Sequence, residues 1–124
     1  MNDKPYNPIS DEKIEKRMIE LPKEIWKLSQ KVINLKMEWL NAKMSYKRNF
    51  SKAQLEAKVT DITKTQTDLK AIAEDRTYEE GLQVIVKEGE YRKAMADMEE
   101  LKEGLYALCE VSSQRRAQGY RQQT

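Results

Sequence analysis

From Ile14 to Tyr46 the apolar side chains step by four and three residues without a break: Ile14, Met18, Leu21, Ile25, Leu28, Val32, Leu35, Trp39, Ala42 and Tyr46. A period of 3.5 belongs to an α-helix that buries one stripe against another helix. It excludes a strand, whose side chains alternate every two residues. Ser10 precedes the stripe, and Asp11 and Glu12 follow it in the first turn. A hydroxyl at the N-cap and acids near the positive helix end set the start there. Pro22 lies inside the pattern, lacks an amide donor and crowds the preceding turn. It is either a kink or the first-turn Pro of a second helix, and because the seam keeps its phase across Pro22, a kinked but continuous helix is favoured.

Two further stretches carry helix-start signatures. Ser51 stands three residues before Gln54, flanked by Phe50 and Leu55, and Thr77 stands three before Glu80. Both read as capping boxes. Helices are therefore expected at about 11–48, 52–74 and 78–116. The middle one would use Leu55, Val59, Ile62, Gln66 and Leu69 as its seam, weakened by Thr60, Thr63, Thr65 and Thr67. The last would use Tyr91, Met95, Met98, Leu101, Leu105, Leu108 and Ser112, with Cys109 as a small buried neighbour. Pro5 and Pro8 mark residues 1–9 as a flexible arm, residues 10–116 read as a single helical domain, and 117–124 as a polar basic tail.

Composition narrows the chemistry. The 124 residues contain no His and one Cys. This removes a His general base, a His metal ligand, an internal disulfide and a Cys-rich zinc site. No Gly-rich phosphate loop occurs. Glu100 and Glu103 have the i, i+3 spacing of a carboxylate metal pair, but the first seam holds no acidic pair to face them. No catalytic residue, no cofactor, no metal and no small-molecule substrate is expected. No apolar run approaches the length of a membrane span, and the start of the chain has no apolar leader. A cytoplasmic protein with no membrane partner is the expectation, host-cell cytoplasm if the chain is viral.

Charge is divided along the chain. Residues 23–58 hold nine bases against three acids, and residues 71–110 hold five against eleven, net +6 and −6. Such a split lets a basic helix choose an acidic partner, within a chain or between chains. Length leaves two options: Pro22 folds the first helix back, or the molecule is elongated and another chain completes its long seam. A first helix of about 38 residues would run about 57 Å, against a radius of gyration of about 14 Å for a compact domain of this size. An all-α, elongated bundle or coiled coil of three long helices is expected, forming a homo-oligomer with a dimer favoured. Its interaction seam would be Ile14, Met18, Leu21, Ile25, Leu28, Val32, Leu35, Trp39 and Tyr46, with Trp26 and Trp39 as its largest side chains. Cations interleaved with aromatics leave a second possibility open, single-stranded nucleic-acid binding. Its candidate contacts are Lys36, Lys43, Lys47, Arg48 and Lys52, with Arg115, Arg116 and Arg121 in the tail.

Four segments carry a family likeness: Leu69-Lys-Ala-Ile-Ala-Glu, Tyr78-Glu-Glu-Gly-Leu, Glu88-Gly-Glu-Tyr-Arg-Lys and Leu105-Tyr-Ala-Leu-Cys-Glu-Val-Ser. Over about residues 50–115 the chain resembles the small helical accessory proteins encoded in early-gene modules of tailed phages of Gram-positive bacteria. Those lie near single-strand annealing and single-stranded DNA-binding proteins. The resemblance implies an accessory factor in DNA replication or recombination, with a DNA-processing protein as partner and no functional residues to carry over.

Overall fold

The computed structural model describes residues 10–123, with side chains described as far as Gly119. Among these the chain is all-α, built of α1 (Asp11–Thr60), α2 (Gln66–Arg76) and α3 (Tyr78–Gln123). The arm expected at residues 1–9 lies outside the described residues, as does Thr124 of the expected tail.

Helix α1 begins where its cap predicts. The Lys13 amide donates to Ser10 Oγ at 3.3 Å, and the Ile14 amide donates to the Ser10 carbonyl at 3.0 Å. The helix then passes through Pro22, which sits exposed inside it. Without a proline N–H, the Met18 carbonyl has no donor four residues on.

The expected boundary at 49–51 does not form. α1 continues to Thr60, and Ser51 caps nothing. Three features hold the helix through that stretch. Asn49 Nδ2 donates to Glu80 Oε2 at 2.8 Å, and Ala53 and Ala57 are buried. Burying the small residues satisfies the seam, so Leu55, Val59 and Ile62 are turned outward instead of forming the middle stripe expected of them.

The turn lies at residues 61–65. Asp61 Oδ1 accepts from the Thr63 amide at 3.0 Å and from its hydroxyl at 2.7 Å. Lys58 Nζ reaches across to the carbonyls of Ile62 and Lys64 at 2.7 and 2.9 Å. Thr65 then opens α2 with a reciprocal cap. Its hydroxyl accepts from the Asp68 amide, and Asp68 Oδ2 accepts from the Thr65 amide, each at 3.2 Å. At the α2–α3 junction Thr77 is buried, and its hydroxyl donates back to the Ala73 carbonyl at 2.6 Å. The capping box expected of Thr77 and Glu80 is therefore absent: the hydroxyl is spent backwards, and Glu80 accepts from Asn49. α3 also runs past 116, to Gln123.

The chain divides into two compact units, Met1–Gln30 with Ala96–Thr124, and Lys31–Met95. In the first unit Ile14, Leu21 and Met98 are buried, while Met18, Ile25 and Leu28 of α1 and Leu101, Leu105, Leu108 and Ser112 of α3 are half-buried. Arg115 Nη1 meets Asp11 Oδ1 at 2.6 Å, placing the start of α1 beside the late part of α3. Cys109 is exposed, not buried as expected, because it stands one position past the Leu108 seam site.

In the second unit, contacts from α1 to α2 and α3 run in opposite order along the chain. Glu38 meets Lys87, Asn49 meets Glu80, and Glu56 meets Arg76. The pairing is antiparallel. Trp39 and Tyr91 stack at 5.5 Å between ring centroids and 18° between planes, the kind of pair worth about 0.5–1.5 kcal/mol beyond its burial. Val32, Ala53, Ala57, Leu69, Ala73, Thr77 and Ala94 complete the core. Small side chains let the helices approach closely there. Gly81 shows how closely, since a Cβ on it would lie 3.3 Å from the Tyr46 ring.

Candidate interaction surface

The seam of α1 is used inside the chain. Within the second unit Val32 is buried, Leu35, Trp39, Ala42 and Tyr46 are half-buried, and Trp39 and Tyr46 lie against Tyr91 and Gly81 of α3. Lys43 Nζ lies 5.6 Å from the Trp39 ring centroid and caps that aromatic layer. The Trp39 indole N–H is buried with no acceptor among the described residues.

A second stripe lies one position past the seam. Ile33 follows Val32, and Leu40 follows Trp39. With Met37 and Met44 they form a run stepping by four, three and four. All four are exposed, Met44 at 61%. An apolar row at heptad spacing on the outer face of a helix whose inner face is already covered has the pattern of a helix-packing stripe. Reading the sequence for a single seam missed it, although the spacing was present in the same residues.

The second unit offers a matching row on α3. Tyr78, Leu82 and Ile85 are exposed and also step by four and three, with Gly89 next in the series. A groove of about 450 Å³ runs beside this row, lined by Tyr46, Glu74, Tyr78, Gly81, Leu82 and Ile85 among others. In the first unit the same offset from the seam leaves Ile19 and Trp26 exposed on α1, so Trp26 is not the buried payload expected of it.

The charged residues do not pair as their division along the sequence suggests. In the second unit the cross-helix ion pairs are Glu38–Lys87 at 3.8 Å and Glu56–Arg76 at 3.7 Å. Each joins an acid of the basic helix to a base of the acidic segment, using the minority charge on both sides. The majority charges face outward. Lys36 and Lys47 on α1, and Glu79 on α3, have no ion-pair partner within 4.0 Å among the described residues.

The candidate nucleic-acid contacts do not share one strip. Lys36, Lys43 and Lys47 follow one side of α1, while Arg48 and Lys52 begin about 100° further round. Arg115 is engaged by Asp11, and Arg116 Nη2 donates to Ser112 Oγ at 3.2 Å. The Arg121 side chain lies outside the described residues. A shallow pocket of about 290 Å³ adjoins Asp11, Glu15, Ser112, Arg115 and Arg116.

Among the described residues, three groups have shifted acidities. Hydrogen bonding from Arg17 at 2.8 Å holds the Glu24 carboxyl below its usual range, and the same bond raises Arg17. The Thr63 hydroxyl and then its amide lower Asp61. All three are structural contacts. No cluster of three or more Cys, Asp or Glu suited to a metal occurs among the described residues, and none of the described helices is long and apolar enough to cross a membrane. No family model, curated protein or solved structure matches the chain.

Proposed function

We propose that this chain is a non-enzymatic helical interaction protein, a phage-type accessory factor in DNA replication or recombination. It acts in the host-cell cytoplasm by associating with itself and with a DNA-processing protein through its helical faces. One observation carries the reading: Ile33, Met37, Leu40 and Met44 stand exposed at heptad steps on a helix whose opposite stripe is already covered. Each such side chain is worth about 1.5–3 kcal/mol when buried, so leaving four of them wet favours association. The setting in DNA processing rests on the resemblance over about residues 50–115.

Light scattering on the full chain over a wide concentration range tests the reading. The expected mass is a small multiple of 14.6 kDa. A mass that stays at one chain throughout overturns self-association.

A further inference from the structure

Resting on that reading, we propose that the outer stripe of α1 in the second unit, Ile33-Met37-Leu40-Met44, docks on the acidic outer row of α3, Tyr78-Leu82-Ile85-Gly89, in a second copy of this chain. The two rows have the same step of four, three and four, so their side chains can interdigitate as knobs and holes. Gly89 has nothing within 4 Å of the position a Cβ would take, so the end of its row is open to an incoming side chain.

Charge selects this occupant. Around the α1 stripe stand Lys31, Lys36, Lys43 and Lys47 against a single Glu38. Around the other row stand Glu74, Asp75, Glu79, Glu80, Glu88 and Glu90 against Arg76 and Lys87. Two copies joined α1 to α1 would set lysines against lysines. Joined α1 to α3, they bring together opposite charges that the cross-helix ion pairs do not use, Glu74, Glu88 and Glu90 being paired only along their own helices, with Lys70, Arg92 and Lys87. Glu74 already lines the groove beside Tyr78, Leu82 and Ile85, at the edge where a lysine flanking the incoming stripe would arrive.

The arrangement can close on itself. On both helices the outer row begins one position after the inner seam, Ile33 after Val32 and Tyr78 after Thr77. In an antiparallel pair the same offset turns both rows toward the same side of the unit. A two-fold axis therefore lets each copy offer its lysine-flanked row and receive the other's at once, as an isologous dimer requires.

The test uses the full chain and two double variants at exposed positions, Lys36→Glu with Lys47→Glu and Glu74→Lys with Glu79→Lys. Sedimentation equilibrium is run on each alone and on an equal mixture, with helix content followed by circular dichroism. Each variant alone is expected to associate at least about tenfold more weakly than the natural chain. The mixture is expected to recover the dimer, because each mixed pair restores opposite charges at both contacts. A folding defect cannot produce that recovery. Met37→Glu is expected to dissociate the dimer with helix content unchanged. If the natural chain associates and none of these variants weakens it, or if the mixture stays dissociated, this docking is overturned while self-association stands. If the natural chain is a single copy throughout, both fall.

Discussion

Asp61 shows how one side chain can end a long helix. It accepts two hydrogen bonds from Thr63, at 3.0 and 2.7 Å, and these turn the chain out of α1 toward α2. Both bonds favour the carboxylate, so the folded pKa lies below the ordinary Asp value of 3.8. The contribution to the turn is then fully present above the unfolded value and is lost as pH falls through the folded one. The Thr63 amide resonance is expected to titrate with a midpoint below 3.8, and Asp61→Asn is expected to abolish that titration. The Arg17–Glu24 pair has the same sign but stands on the surface, where solvent screens it and little stability follows. Trp39 spends its polar atom differently. Its N–H is buried without an acceptor, a cost set against the stack on Tyr91 and the Lys43 ammonium over its ring.

At the scale of the helix, competing signals were decided by packing. Ser51-Lys52-Ala53-Gln54 and Thr65-Gln66-Thr67-Asp68 both have the form of a start, yet only the second caps. Local spacing does not distinguish them. The buried Ala53 and Ala57 do, because ending α1 at residue 48 would strip them from the core of the second unit. The stripe assigned to Leu55, Val59 and Ile62 failed for the same reason: small residues two positions earlier took the inner face. Pro22 is the converse, a strong breaker overridden inside a 50-residue helix. It is exposed and its missing donor has no packing role, so Pro22→Ala is expected to stabilise the protein, by up to about 3 kcal/mol. Urea unfolding with an unchanged m-value measures the gain; a loss of stability would show that the proline serves a geometry α1 requires.

At the scale of the whole molecule, the question is what the exposed rows and unpaired charges are for. If opposite charges on α1 and α3 of different copies hold the assembly, salt weakens it, since surface charges are screened over about 8 Å at physiological ionic strength. The dimer is expected to loosen steadily between low salt and 0.5 M, as read by sedimentation at fixed protein concentration, without complete loss because the apolar rows remain. An assembly that tightens over that range would rest on apolar contact alone. The sequence by itself determined that the chain is helical and where α1 begins, because helix periodicity and cap chemistry are local properties of neighbouring residues. It could not determine where α1 ends, which of two apolar stripes faces inward, or which charges pair. Those were decided only in the tertiary structure, because two stripes of similar hydrophobicity on one helix differ only in which finds a complementary surface, and that surface comes from residues 20 to 104 positions away.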